Sequence, residues 1–318
     1  MEYIEPFTYS GKGKRYLTQN DYLRGKFGGK VMKISLNGGF TCPNRDGSKG
    51  IGGCTFCSAS GSGDFAGDPA DSIAKQFEEV REPLMKKWRD CTKFIPYFQA
   101  NTNTYAPLGR LKSLYEQALA IENVCGLAIS TRPDCISEEA ADYLAELSRR
   151  TYLTVELGLQ TIHDETAERL NRCHTYADFL HGFRMLSDRG INVCVHIING
   201  LPGETRDMML ETVREISKLP MHSIKIHLLH IIRGTRLAED YEKGLFRTME
   251  LAEYVDLVCS QIEMLPPDVV IQRLTGDGAP NDLIAPLWSR KKFVVMNETD
   301  KEMTRRNAVQ GDKFMIDK

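Results

Sequence analysis

One alternation constrains the fold of this chain more than any other feature. Six short runs rich in β-branched and aromatic residues, at 31–37, 94–100, 126–131, 153–159, 192–199 and 223–231, are separated by helix-like stretches near 70–89, 109–122, 137–149, 163–187 and 204–218. A further helix is expected near 248–264. Strands that alternate with helices pair in parallel, because each helix carries the chain back across the sheet, and the crossover is right-handed. Start signals support the helices: Ser137 with Glu138 and Glu139 reads as an N-cap with an acidic first turn, and Gly203-Glu204-Thr205 precedes an amphipathic stretch. The pattern predicts an α/β fold, a partial (β/α)6 TIM-like barrel. Residues 31–265 are read as the barrel, 1–30 as a basic, irregular N-terminal arm, and 266–318 as a C-terminal extension with a basic tail. In such folds the functional site gathers at the C-terminal ends of the strands.

At 318 residues, 42% hydrophobic and 26% charged, the chain can build a large core and stay soluble. No run of 18 apolar residues and no N-terminal signal segment is present, so a cytoplasmic protein without a membrane partner is expected. The formal net charge is −2, but it is unevenly spread. Residues 1–33 hold seven Lys/Arg against three Asp/Glu, residues 286–318 hold eight against five, and the stretch between holds 26 against 35. The basic ends, with Lys12, Lys14, Arg15, Arg24, Lys26 and Lys30 in the arm and Arg290, Lys291, Lys292, Arg305 and Arg306 in the tail, read either as a footprint for a polyanion or as ordinary solvated surface.

Nine cysteines, an odd number scattered over an enzyme-sized chain, argue for reduced thiols with a metal task for some of them. Cys42, Cys54 and Cys57 stand out, spaced C-x11-C-x2-C in a glycine-rich loop directly after the first strand-like run. Three readings are open. A structural zinc site wants four ligands, and the second CxxC or His pair is missing. A redox pair Cys54-Thr-Phe-Cys57 leaves Cys42 unexplained. A [4Fe–4S] cluster held by three thiolates uses all of them and leaves one iron open to a small molecule. The remaining cysteines, 91, 125, 135, 173, 194 and 259, form no CxxC, so no second cluster is expected. Glu156 lies in an apolar strand, where a carboxylate needs a partner; Arg132 and a bound substrate are the two options. Tyr105, His227 and His230 either line a cavity or pack.

The cysteine loop is followed, in order, by STRPD (130–134), VELGLQT (155–161), NRCHT (171–175), HIINGLPGET (196–205), IKIHLLH with GTRL (224–237) and QRLTGD (272–277). With these motifs the chain resembles the radical S-adenosylmethionine (SAM) superfamily from about Lys33 to Leu274. The wide first cysteine gap is similar to a subgroup related to the Elongator catalytic subunit and to oxygen-independent coproporphyrinogen oxidase.

The resemblance implies that the three thiolates hold the cube and that its open iron chelates SAM. An electron from a donor such as flavodoxin or ferredoxin then cleaves SAM to methionine and a 5′-deoxyadenosyl radical, which takes a hydrogen atom from substrate. Phe56 matches an aromatic residue that shields the cluster. It also implies SAM contacts. Gln99, Asn101 and Thr102 follow the second strand and Ser130 ends the third. Gln160 matches a ribose-contacting Gln, and Arg172 an Arg that pairs with the SAM carboxylate. His196 stands where the porphyrinogen oxidase has a ribose-binding Asp, and Gly200 opens a turn that lies along the adenine. Ser130 and Gln160 also read as braces of the sheet, and His196 as a hydrogen-bonded core residue. Cys173 is a candidate hydrogen-atom donor.

The Elongator-like features point to tRNA as partner and to the C5 side chain of a wobble uridine as substrate. The alternatives are a radical oxidase of a small, porphyrinogen-like molecule and an iron–sulfur electron-transfer protein.

Overall fold

A computed structural model of the chain describes residues 13–61, 63–276, 278 and 281–315. The six expected strands are present as β1 (Val31–Leu36), β2 (Lys93–Phe98), β3 (Gly126–Thr131), β4 (Tyr152–Gln160), β5 (Asn192–Asn199) and β6 (Ser223–Leu228). Three further strands follow: β7 (Ile231–Ile232), β8 (Val270–Arg273) and β9 (Leu283–Ala285). The hydrogen-bonded order is β1-β2-β3-β4-β5-β6-β8, with β7 and β9 as a separate antiparallel pair. Pairing is parallel between β1 and β2, β2 and β3, β3 and β4, and β6 and β8. The stretch after Pro266-Pro267, read from sequence as part of an appended extension, therefore supplies a seventh strand of the main sheet.

The helices are α1 (Gln19–Phe27), α2 (Ile73–Lys87), α3 (Leu108–Leu119), α4 (Glu138–Arg150), α5 (Asp164–Arg169), α6 (Tyr176–Ser187), α7 (Arg206–Ile216), α8 (Arg236–Glu242), α9 (Leu251–Met264) and α10 (Lys292–Arg305). The Ser137 cap forms as expected, its side chain accepting from the Ala140 amide, and Thr205 caps α7 through Met208. Two differences from the sequence reading matter. The arm is not wholly irregular, since it carries α1. The single helix expected over 163–187 is two helices, because Thr175 and Asp178 form a capping box that starts α6 afresh. The connecting loop holds Asn171 and Cys173 in the left-handed region, at φ 53° and 54°.

The chain divides into two compact units. The first comprises Leu23–Leu159 and Asn171–Cys194. There β1 alternates, with Met32, Ile34 and Leu36 buried and Val31, Lys33 and Ser35 half-exposed on the opposite face. Phe77 of α2 meets Phe94 edge-on with centroids 5.6 Å apart, and Phe98 packs on Tyr115 at 5.1 Å. Burying aromatic side chains of this size stabilises a core by roughly 1.5–3 kcal/mol each.

The second unit comprises the described residues up to Tyr22, Gln160–Leu170, and those from Val195 onward. Its α9 is buried at Tyr254, Leu257, Val258 and Ile262 and packs against α10. The buried Glu263 of α9 is held by Arg306, 3.0 Å away, and by Lys313. The segment before α1 is strapped down: the Leu17 amide donates to Gln310 Oε1 at 2.9 Å, and buried Arg15 donates to the Ala308 carbonyl at 3.3 Å. Lys14 pairs with Asp300. Arg15, Lys14 and Arg306, counted from sequence among the polyanion-facing charges, are thus engaged within the protein. Lys12 lies outside the described residues. Among the described residues no helix is long and apolar enough to cross a membrane.

Candidate active site

The cysteine loop belongs to the first unit. Cys54 is buried, Cys42 and Cys57 are half-buried, and none of the three is in a disulfide. The loop is folded by its own backbone: the Arg45 amide donates to the Cys42 carbonyl at 2.8 Å, Gly53 to Asn44 at 2.7 Å, and Cys57 to Cys54 at 3.0 Å. Gly52 and Gly53 sit at φ 80° and 78°, which is why glycines precede the second cysteine. The Arg45 guanidinium closes the loop on the carbonyls of Ser58 and Ala59.

Polar residues following β2 and β3 meet this loop. The Thr102 amide donates to Thr41 at 3.2 Å and the Asn101 amide to Gly61 at 2.8 Å, with Asn101 at φ 61°. Both margins of the loop are thereby tied to the end of β2. Gln99 Oε1 accepts from Ser35 at 2.9 Å. The Ser130 carbonyl accepts from both the amide and the side chain of Asn103. Tyr105, an open question from sequence, shares a 2.8 Å hydrogen bond with Ser48 of the loop.

The loop between α5 and α6 is the third wall. Buried Arg172 donates from Nη1 to Cys54 Sγ at 3.3 Å and from Nη2 to the Gly158 carbonyl at 2.6 Å. Its Nη2 also meets His174 Nε2 at 2.7 Å. Fully buried Asn44 donates to Cys54 Sγ at 3.5 Å and to the Asn171 carbonyl, and accepts from the Cys173 thiol at 3.1 Å. Asn171 in turn donates to the Gly53 carbonyl at 2.8 Å. Burial, with the charges of Arg172 and Arg132 beside it, pushes the His174 imidazole down to about 3, so it is neutral. Its Nδ1 faces the Thr175 carbonyl at 3.3 Å, which leaves Nε2 as the acceptor for Arg172.

Arg132 does not pair with Glu156. It is held bidentate by Asp134, at 3.0 Å on both bonds, and donates to the carbonyls of Arg172 and Cys173. Burial raises the Asp134 carboxyl, but Arg132 and Lys49 outweigh it and hold the group down to about 2. Glu156, fully buried, pairs instead with Lys33 at 2.6 Å.

In the second unit, Gln160 closes β4 at φ 79° with its buried Oε1 lacking a hydrogen-bond partner. A strained backbone and an unsatisfied buried oxygen in one side chain suit a ligand contact better than a sheet brace. His196 packs against His227 with ring centroids 5.2 Å apart and planes tilted by 55°, and burial, then the neighbouring His196, holds the His227 imidazole well below its ordinary range. Gly200 turns at φ 83° against Met249, where a Cβ would lie 3.2 Å from Cγ. The sequence reading passed over two residues that the fold brings to the cysteine loop and its Arg172, Asn44 and His174, and over Lys33 as the partner of Glu156. Asn44 and His174 lay inside motifs already marked, but nothing local to them named their partners.

Three thiols on one loop, with a buried cation and a carboxamide aimed at one sulfur, suit an anionic thiolate cluster. The chain belongs to the radical SAM superfamily: the superfamily pattern matches residues 40–216, and that of the Radical_SAM C-terminal domain matches residues 221–305. It is a radical SAM enzyme, and its cofactors are a [4Fe–4S] cluster and S-adenosylmethionine. In particular, the chain is 50% identical to the protein YtqA of Bacillus subtilis (strain 168), over 97% of this chain and 96% of that protein. It is 30% identical to the tRNA uridine(34) acetyltransferase of Methanocaldococcus jannaschii over 154 residues, 48% of this chain and 28% of that protein. Its fold matches the archaeal Methanocaldococcus infernus Elp3 with a TM-score of 0.66 at 19% identity, covering 88% of this chain and 64% of that one.

Proposed function

We propose that Cys42, Cys54 and Cys57 hold the cluster and that the enzyme modifies the C5 side chain of a wobble uridine in tRNA. The bound cluster and SAM supply a 5′-deoxyadenosyl radical. The protein's part is to orient both and keep the radical from water. Gln99, Asn101, Thr102, Ser130, Gln160, Arg172, His196 and Gly200 are the candidate SAM contacts. Cys173 remains a candidate donor thiol, half-buried at the edge of the cysteine loop.

The substrate reading is carried by one observation, the 30% identity across nearly half the chain with a protein named for uridine 34 of tRNA. Its narrowest form is conversion of a carboxymethylaminomethyl group to an aminomethyl group. Mass spectrometry of tRNA nucleosides from a strain lacking the gene tests it. The expected result is accumulation of an unprocessed wobble nucleoside, and an unchanged nucleoside profile overturns the substrate assignment. Anaerobic reconstitution tests the chemistry separately: reduction in the presence of SAM is expected to yield 5′-deoxyadenosine, and replacing any one of the three cysteines with Ala to abolish it.

A further inference from the structure

We propose that Arg172 and Asn44 are positioning residues for the cluster ligand Cys54, donating hydrogen bonds to its sulfur and thereby raising the reduction potential of the cluster. The inference rests on the reading of Cys54 as a ligand; it gives Asn44 a role, and it gives Arg172 one besides the SAM-carboxylate contact that the resemblance implies. Arg172 is 6% exposed, and a guanidinium keeps its charge at every working pH. Its partners are Cys54 Sγ, the Gly158 carbonyl and the imidazole of His174. None is a carboxylate, and the neutral His174 brings no negative charge. Arg132, equally buried, shows what an internally satisfied guanidinium looks like here, with its bidentate Asp134. A buried cation with no anion carries a large desolvation cost. The thiolate of Cys54, 3.3 Å from Nη1, and the cluster it holds supply counter-charge at Arg172, besides the SAM carboxylate that the resemblance pairs with it.

Asn44 makes the arrangement specific. One amide atom faces the Asn171 carbonyl, which only accepts, so that atom is Nδ2, and the same Nδ2 faces Cys54 Sγ. The other amide atom, Oδ1, takes the Cys173 thiol proton at 3.1 Å. Gly50 leaves the room: a Cβ there would lie 2.2 Å from Asn44 Oδ1 and 2.7 Å from Cys173 Sγ. Two N–H donors on one thiolate, one of them cationic, withdraw charge from the sulfur and favour the more negative, reduced cluster.

The test is a redox titration of the reconstituted full-length enzyme without SAM, following the reduced cluster by electron paramagnetic resonance alongside iron per chain. Arg172→Gln and Asn44→Ala are each expected to keep iron and shift the midpoint to more negative potential. The reduction equilibrium should fall about tenfold, equivalent to 59 mV for one electron. Arg172→Lys, which keeps the charge, is expected to shift less. If Arg172→Gln loses its iron, Asn44→Ala carries the test with the charge intact. An unchanged midpoint in an iron-loaded variant overturns the inference, as does a variant whose only defect is weaker SAM binding, which would assign Arg172 to the SAM carboxylate. Failure of the underlying reading looks different: Cys54→Ala would then load as much iron as the parent.

Discussion

His174 shows how much one neutral side chain constrains this protein. In the unfolded chain its imidazole titrates near pH 6.5, while in the fold burial and then the adjacent Arg172 and Arg132 hold it down to about 3. Between those values the unfolded state binds more protons, so the contribution to stability is complete above pH 6.5 and declines as pH falls toward 3. From pH 7 to pH 5 the parent should lose about 2 kcal/mol that His174→Gln does not lose, at 1.36 kcal/mol per unit. Urea unfolding at the two pH values checks this, and parallel declines in both proteins would rule it out. Glu156 teaches the complementary lesson. That it needs a partner was readable from its apolar strand, but the choice of Lys33 over Arg132 followed from Asp134, which takes Arg132 two residues along.

At the scale of elements, most boundaries were legible because strand alternation and helix caps are local. The six main strands fall where β-branched runs occur, and Ser137 and Thr205 start their helices. The break between α5 and α6 was legible in principle from Thr175 and Asp178, yet the apolar period runs across it and masks the new start. That break is what brings residues 171–174 to the cysteine loop. The packing of α6 depends on Gly182, where a Cβ would lie 2.2 Å from the Pro133 carbonyl of the neighbouring 3-10 turn (Pro133–Cys135). Gly182→Ala gains helix propensity but forces the two elements apart, and a net loss of about 1–3 kcal/mol is expected. Thermal unfolding reads this as a lower Tm; a Tm equal to the parent's would mean that the turn yields freely.

At the scale of the whole molecule, the basic ends of an acidic chain suggested a polyanion, and the fold reduces the charges available for one. Arg15 and Arg306 are tied into the second unit, whereas Arg24, Lys26, Arg290 and Lys291 stand exposed. If tRNA is the partner, changing Arg24 and Lys26 to Gln should flatten the dependence of log K on log salt by about one to two units. Arg15→Ala should lower stability and leave that slope alone; tRNA binding measured from low to moderate salt distinguishes the two, and an unmoved slope in the double variant removes these residues from the interface. By itself the sequence determined the parallel α/β class, the three-thiol loop after the first strand and the radical SAM chemistry. The class and the loop rest on spacing and periodicity within short stretches of chain, and the chemistry on the resemblance of its ordered motifs to that superfamily. Only the tertiary structure decided which charges are spent internally and what surrounds Cys54. Arg172 lies 118 residues from Cys54, and Asn44 lies 127 from Asn171. No local pattern encodes a contact between side chains so far apart; the sheet and its crossovers set their separation.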